Sequence, residues 1–335
     1  MKKTLVALLV ASAATSVSAV ELYSSDTSTL AIKGEVDGYL RTSEVEVTGK
    51  AKDKEDLNVD YWAYAQVDYE HKLNDSVSAF GSFEIETSGS NAVFDDVVAG
   101  FKGNFGKVSI GETGDALDAI EKTDISNEGP YFGTPGHELE SKGKGLRYQV
   151  DAGPVAISLD WQSTSADNSD DAYGISVDWN FGMGSVGVAY VDYGKLAGAT
   201  VDSSVAGIAL GINPVDALFL GLSYTDYENI AYAVTGGSNS DIKGELPAHD
   251  GQSFGFAISY DFEPVKIYAT YALIDGDNIA GTKVDAELNS YLLGVDYTVM
   301  DNLNVFLECT AAEIDGTSVV KTDANQTILG MYLSF

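Results

Sequence analysis

The chain has 335 residues, and its 51 acidic residues outnumber its 19 basic residues to give a formal net charge of −32 at pH 7. This length suits one large domain or two small ones. The acidity argues against a nucleic-acid partner, because phosphate backbones are bound by Lys and Arg, and it favours cations near the protein. The one cysteine, Cys309, can form no internal disulfide, so no covalent crosslink supports the fold.

The N-terminus has the pattern of an export signal. Lys2 and Lys3 precede an apolar run over residues 5–14, and the small residues Val17-Ser18-Ala19 follow. A charged start, a short apolar run and a small-residue cleavage site are typical of a signal peptide. The run is shorter than the ~20 residues that span a bilayer, which argues against the alternative of a membrane anchor. We therefore predict a signal peptide over residues 1–19 and one exported domain over residues 20–335.

Period-two alternation recurs along the rest of the chain, while helical periodicity is almost absent. It is clearest over residues 59–70, 77–86, 173–181, 254–261 and 326–335, where apolar side chains fall on one side and small or polar side chains on the other. Such alternation is typical of β-strands with one apolar face. After the predicted signal, no apolar run reaches the length of a transmembrane helix, so a membrane location requires a closed barrel.

Connections between the predicted strands come in two lengths. Short ones fall at 74–75, 104–106, 152–154, 182–184, 213–216, 262–264 and 300–302, and longer polar ones at 42–55, 114–142, 228–249, 276–285 and 315–324. Short turns at one end and long loops at the other are typical of outer-membrane barrels. We therefore predict an all-β fold, a transmembrane antiparallel β-barrel of about 16 strands.

A soluble β-sandwich or an exported β-propeller is the alternative, because alternation alone does not say which face meets water. Aromatic residues near strand ends favour the barrel, since membrane interfaces would lie there; these residues are Tyr61, Trp161, Trp179, Tyr260 and Tyr297. The last strand is also complete and ends on the aromatic Phe335. An unpaired terminal strand would expose an open edge, which a closed barrel removes.

Five segments of the chain share residues with one protein family. They are Val20-Glu21-Leu22-Tyr23, Ala99 to Gly111, Gly129-Pro130-Tyr131-Phe132-Gly133, Leu146-Arg147-Tyr148 and the terminal Phe335. In these segments the chain resembles the general porins of Gram-negative outer membranes, whose C-terminal aromatic residue is an assembly signal. The resemblance implies a water-filled homotrimer in contact with outer-membrane lipid and lipopolysaccharide, inserted by the barrel-assembly machinery.

In that family the third loop folds into the lumen and narrows it. The resemblance implies that residues 114–142 form this constriction loop, whose acids are Asp115, Asp118, Glu121, Asp124 and Glu128. From the residues alone, a solvated acidic surface loop is the favoured interpretation, and only the resemblance favours a loop inside the lumen.

Family members face the loop with basic residues on the barrel wall, and this chain departs from that pattern. The positions that are basic in the family align with Glu35, Tyr64, Asp95 and Ser141. The other wall residues that we predict are Asp60, Trp62, Arg41 and Arg147, with Lys33 as a further cation. The alignment implies a lumen that is acidic on both sides, with a weakened transverse field.

Carboxylates in a confined, water-filled constriction attract cations and repel anions. We therefore expect passive diffusion of ions and small hydrophilic solutes, with a preference for cations. Trp62 and Tyr64 leave open an oligosaccharide-selective channel, in which they would stack on sugars, although packing against the constriction loop is the favoured explanation of these two residues. Surface adhesion or reception through the outer loops, especially 228–249, is a third possibility.

No enzyme activity is expected. His71, His137 and His249 show neither metal-ligand spacing nor a neighbouring Gly-x-Ser-x-Gly element. The sequence also has no phosphate-binding loop, so we predict no catalytic residues, no metal and no cofactor.

Overall fold

The computed structural model describes residues 19–88, 91–131, 133, 144–164, 169–196, 199–230, 233–235, 243–245, 250–279, 282–316 and 320–335. Residues 1–18 of the predicted signal peptide lie outside this set. Within the described residues, no helix has the length and apolar character that crossing a bilayer would need.

Almost all of the described chain is β-strand. In chain order the strands are β1 (Val20–Ser24), β2 (Ser28–Val47), β3 (Asp53–Asn74), β4 (Val77–Ser88), β5 (Asn91–Gly103), β6 (Gly106–Gly111), β7 (Gly145–Ala152), β8 (Val155–Gln162), β9 (Ala172–Asn180), β10 (Gly184–Gly194), β11 (Ser203–Val215), β12 (Leu218–Glu228), β13 (Ala233–Thr235), β14 (Lys243–Glu245), β15 (Asp250–Asp261), β16 (Val265–Ile279), β17 (Thr282–Met300), β18 (Leu303–Gly316) and β19 (Val320–Ser334). A short 3₁₀ helix, Ala116–Ile120, lies between β6 and β7.

The strands close into a barrel of antiparallel neighbours. Each strand pairs with the next along the chain, β12 pairs with β15, and β13 and β14 form a separate hairpin. The ring closes where β19 pairs with β2, from Thr322 opposite Val47 to Ser334 opposite Glu35. A closed ring leaves no unpaired edge.

Both ends of the domain meet on β2. Phe335 exchanges two backbone hydrogen bonds with Gly34, of 2.9 and 3.0 Å, and β1 continues along β2 from there, with Val20 opposite Ile32. β1 and β19 therefore share one position in the ring. The 17 segments of the main sheet form 16 strands, which confirms the predicted count.

The apolar face of the strands points outward. On β3, Val59 is 73% exposed and Tyr61 is 60% exposed, whereas Tyr39, on the opposite face of β2, is 3% exposed. All the aromatic residues that we placed at membrane interfaces are exposed on the outer face. A soluble sandwich would bury this face, so the arrangement confirms the transmembrane barrel.

Three of the predicted long connections are wrong. Strand pairing continues to Val45 opposite Asp53, Ile279 opposite Thr282 and Gly316 opposite Val320, so the segments 42–55, 276–285 and 315–324 are mostly hairpin. Their alternation is weak because these segments are rich in polar and charged residues, while the backbone ladder persists. Conversely, the connections 163–171 and 195–202 were not predicted.

Candidate functional site inside the barrel

The chain leaves the barrel wall at Gly111. This residue has a φ of +128°, and a Cβ there would lie 2.1 Å from the carbonyl oxygen of Val97. Only glycine adopts this conformation readily at so close a contact. Asp115 then caps the 3₁₀ helix, because its Oδ1 accepts the backbone N–H of Leu117 at 2.7 Å.

The 3₁₀ helix packs against the inner face of the barrel. Ala116, Leu117 and Ile120 are fully buried in a cluster with inward-facing residues of β10 and β11, namely Ala189, Val191, Val205 and Ala209. Glycines on the inner face make room for the chain. A Cβ at Gly187 would lie 1.8 Å from the carbonyl oxygen of Ala119, and one at Gly207 would lie 2.4 Å from Ile120.

Beyond the helix, the segment follows the inner wall from β9 to β12. The Lys122 ammonium lies 2.6 Å from Asp178 on β9 and 2.8 Å from Ser185 on β10. Thr123 bonds Ser223 on β12 at 2.8 Å and also the hydroxyl of Tyr131. These contacts hold the segment against the wall instead of letting it extend into water.

The tip of the segment is held by Glu308 on β18. The Glu308 carboxylate accepts the backbone N–H groups of Asn127 at 2.7 Å, Glu128 at 2.9 Å and Gly129 at 2.5 Å. It also accepts the hydroxyl of Tyr268 at 2.8 Å, and it is fully buried. The sequence analysis missed this residue.

The Glu128 side chain reaches β2, across the pairing of β19 with β2 that closes the ring. It accepts the Tyr39 hydroxyl at 3.0 Å and lies 3.6 Å from the Arg41 guanidinium. Burial raises the pKa of the Glu128 carboxyl above its ordinary value, although Tyr39 and Arg41 oppose the shift. The tip therefore bridges β18 and β2 inside the barrel.

The five predicted loop acids have different surroundings. Asp115 is buried at the helix cap, and Asp118 lies 2.6 Å from the Arg147 guanidinium. Asp124 accepts the Ser126 hydroxyl at 2.7 Å, and Glu121 is half-buried. Arg147 and Arg41, the two arginines that we predicted on the wall, therefore each pair with an acid of this segment.

The inner wall on β2 to β5 carries acidic and aromatic side chains. Tyr64 lies between Glu35 on β2 and Glu86 on β4, and Glu84 lies opposite Asp95 on β5. Within the described residues, Glu35, Glu84, Glu86 and Asp95 form no ion pair. Asp60, also on this wall, lies 4.0 Å from Arg41.

Trp62 and Tyr64 lie side by side on the inner face of β3. Their ring centroids are 4.9 Å apart, and the Trp62 indole N–H donates to Glu86 at 2.8 Å. Trp62 also packs against the wall cluster of Tyr39, Phe306 and Ile328. Glu35, Arg41, Asp60, Trp62, Tyr64 and Asp95 thus lie on β2, β3 and β5, whereas Arg147 lies on β7 and Ser141 is outside the described residues.

Among the described residues, no group of three or more His, Cys, Asp or Glu side chains is arranged to hold a metal ion. Cys309 is exposed on the outer face of β18.

Comparison with known proteins agrees with this architecture. A family model described as Gram-negative porin matches residues 4–317. No curated protein sequence that was searched matches the chain.

Solved porin structures share the fold. OmpF of Salmonella typhi, in complex with daunomycin, is 18% identical with a TM-score of 0.70 over 94% of this chain and 100% of that chain. OmpT, an outer membrane protein of Vibrio cholerae, is 19% identical with a TM-score of 0.67 over 94% and 100%. A mutant of the Rh. blastica porin is 17% identical with a TM-score of 0.58 over 90% and 99%.

At these identities the solved structures support the fold alone, and the assignment to a family rests on the family model. Because that model spans most of the sequence, the chain belongs to the Gram-negative porin family and forms a porin channel in the outer membrane.

Proposed function

We propose that the barrel is a general diffusion channel, which passes ions and small hydrophilic solutes and prefers cations. The observation that carries this proposal is the division of charge inside the barrel. Arg41 and Arg147 pair with Glu128 and Asp118, and Lys122 pairs with Asp178. On the β2 to β5 wall, by contrast, Glu35, Glu84, Glu86 and Asp95 form no ion pair within the described residues, whereas Asp60 lies 4.0 Å from Arg41 and Glu70 lies 2.7 Å from Lys102.

An excess of wall carboxylates acts on ions only where the bore is narrow. Salt at 0.15 M screens charges beyond about 8 Å, while low-dielectric walls focus the field within that distance. We infer that residues 114–142, of which the structure describes 114–131 and 133, form the constriction loop, and that solutes pass between this loop and the β2 to β5 wall. Its acids Asp118, Glu121, Asp124 and Glu128 would then line one side of the bore.

Reversal potentials in planar bilayers under a KCl gradient test this proposal. The wild-type channel should show a cation preference, and a triple variant Glu35→Gln, Glu84→Gln, Glu86→Gln should lose much of it. Glu313→Gln is a suitable control, because it removes a carboxylate from the exposed outer end of β18. An anion preference of the wild type, or equal effects of the control and the triple variant, would contradict the proposal.

An oligosaccharide-selective channel is the second candidate, and the adjacent rings of Trp62 and Tyr64 favour it. Aromatic faces in a lumen can stack on sugar rings. Liposome swelling with sugars of graded size separates the two candidates. A smooth dependence of rate on size supports the general channel, whereas saturation by one class of sugar supports the selective one.

We further infer that the chain is exported by cleavage after Ala19 and assembles as a homotrimer, with Phe335 read by the barrel-assembly machinery and lipopolysaccharide beside the outer leaflet. β1 begins at Val20, directly after the inferred cleavage site, and a trimer form of OmpT is among the similar structures. The match to the Gram-negative porin family also supports the inference that the protein is a channel without catalytic activity. Mass spectrometry of the mature N-terminus and light scattering in detergent test the first two inferences.

A further inference from the structure

One patch of the inner wall alternates aromatic and acidic side chains across three strands. Tyr64 on β3 has Glu35 as its partner on β2 and Glu86 as its partner on β4. Trp62, the next inward residue on β3, lies opposite Asp37. In antiparallel pairs, directly opposed side chains point to the same face. An aromatic pair is therefore flanked by carboxylates on both neighbouring strands.

The Trp62 and Tyr64 rings are fixed by contacts with the barrel wall, and part of their surface remains exposed. Trp62 is fixed by its hydrogen bond to Glu86 and by packing against Tyr39, Phe306 and Ile328. Its ring is tilted by 41° relative to that of Tyr64. Both residues are half-buried, so each retains surface that a solute in the lumen can contact.

Three other inward-facing rings already have a cation of the protein over them. Arg41 lies 5.6 Å from the Tyr39 ring centroid, Lys107 lies 5.1 Å from that of Phe80, and Lys266 lies 5.3 Å from that of Tyr268. In the part of the chain that the structure describes, no such cation lies over Trp62 or Tyr64. Tryptophan is the ring that attracts cations most strongly, so this patch has an unused cation–π surface.

The acids of the patch likewise have no basic partner. Glu35 accepts the Ser334 hydroxyl and Glu86 accepts the Trp62 indole N–H, but neither forms an ion pair among the described side chains. Asp37 is 3% exposed, and its Oδ1 has no hydrogen-bond partner there. A buried carboxylate oxygen without a donor is costly, which favours a positive group nearby.

We propose that Trp62 and Tyr64, together with Glu35 and Glu86, form a binding site for organic cations that carry a flat apolar group. The rings contact the apolar group and the cation, and the carboxylates compensate the charge. A neutral sugar would use only the rings, and K⁺ would use chiefly the carboxylates. This inference deepens the proposed function, on which it rests, by naming a solute class that the channel retains during passage.

Tryptophan fluorescence tests the site directly, because the chain has three tryptophans. The double variant Trp161→Phe, Trp179→Phe removes the two outward-facing ones and leaves Trp62 as the reporter. Benzyltrimethylammonium should change its emission saturably in the detergent-solubilised channel, at a concentration about tenfold lower than tetramethylammonium or benzyl alcohol. Adding Glu86→Gln should raise that concentration severalfold. Equal responses to benzyltrimethylammonium and benzyl alcohol would overturn the proposal.

Current block in planar bilayers separates this proposal from the proposed function. Benzyltrimethylammonium should block wild-type current more strongly than tetramethylammonium, Trp62→Leu should abolish the difference, and Trp62→Phe should keep part of it. Trp179→Leu, on the outer face, should behave as wild type. If KCl reversal potentials show a cation preference while the two ammonium ions block equally, the binding site is wrong. If they show none, the channel proposal fails, and the fluorescence titration still decides whether the site exists.

Discussion

Glu308 accepts the backbone N–H of Glu128 at 2.9 Å, although both residues are acidic. The contact is favourable because the peptide dipole, and not the side chain, faces the buried carboxylate. The Glu128 side chain turns away toward Tyr39 and Arg41. One residue of the wall thus orients the loop tip, and the loop tip in turn presents its own acid to the opposite strands.

Removal of the Glu308 carboxylate should release the loop tip. Glu308→Ala leaves the N–H groups of Asn127, Glu128 and Gly129 without their acceptor, which should cost roughly 3 kcal/mol of loop docking. Single-channel recordings should show larger or noisier conductance, while circular dichroism keeps its β-barrel signature. Glu313→Gln, on the exposed face of the same strand, is the control and should leave the conductance unchanged. Unaltered conductance in Glu308→Ala would show that the tip is held by other contacts.

Gly187 should be required for docking of the 3₁₀ helix. Gly187→Ala places a methyl group where the carbonyl oxygen of Ala119 now lies, and such overpacking costs about 1–3 kcal/mol. Increased cleavage of the loop by an added protease would report the displaced helix. Gly81→Ala is a matched control, since its Cβ would meet no atom closer than 3.8 Å. Equal protection of both variants would contradict the tight contact.

Neutralising Arg147 should strengthen the cation preference. Arg147→Gln leaves Asp118 without its partner at 2.6 Å, and a partly exposed pair of this kind is worth roughly 0.2–1 kcal/mol. If the uncompensated carboxylate acts on permeating ions with an energy of that size, the permeability ratio of K⁺ to Cl⁻ should rise about 1.4-fold to fivefold, and Arg147→Lys should stay close to wild type. An unchanged ratio in Arg147→Gln would place this pair outside the conducting path and contradict the prediction.

Acidification should weaken the cation preference by protonating Glu128. Because the pKa of this carboxyl is raised in the folded protein, protonation begins at a higher pH than for an ordinary glutamate. The same shift means that the docked tip binds the proton more tightly than a free loop, so its contribution to docking is present at low pH and lost as pH rises through the raised pKa. Reversal potentials measured against pH should show this step in the wild type. Glu128→Gln should lack it, and its persistence there would assign the step to another acid.

Much of the barrel could be predicted from the sequence because each strand carries its own signal. Alternation along segments such as 59–70 shows which side chains share a face, and the membrane requires that the apolar face point outward. Hairpin tips were harder to place. Near Thr282 and Val320 the residues are mostly polar or small, so the apolar signal fades although the hydrogen-bond ladder continues.

The interior contacts could be predicted only in outline. Acids were expected on both the loop and the wall, but pairings such as Asp118 with Arg147 depend on the path of the loop, which alternation does not encode. Glu308 could have been noticed, since it is an acid flanked by the outward-facing Leu307 and Cys309. Its partners are backbone N–H groups about 180 residues away, and no side-chain pattern reveals them.

The shared position of β1 and β19 makes β2 the seam of the ring. The Ser334 hydroxyl reaches Glu35 across 299 residues of chain, and bringing together ends so distant costs about 5 kcal/mol of chain entropy. The ladder between β2 and β19 must offset that loss in a single late step, when the final residues have been delivered. Until β19 pairs with β2, the unpaired edge of β2 can pair with a strand of another chain. We therefore expect a chain that lacks its last few residues to remain an open sheet and to aggregate.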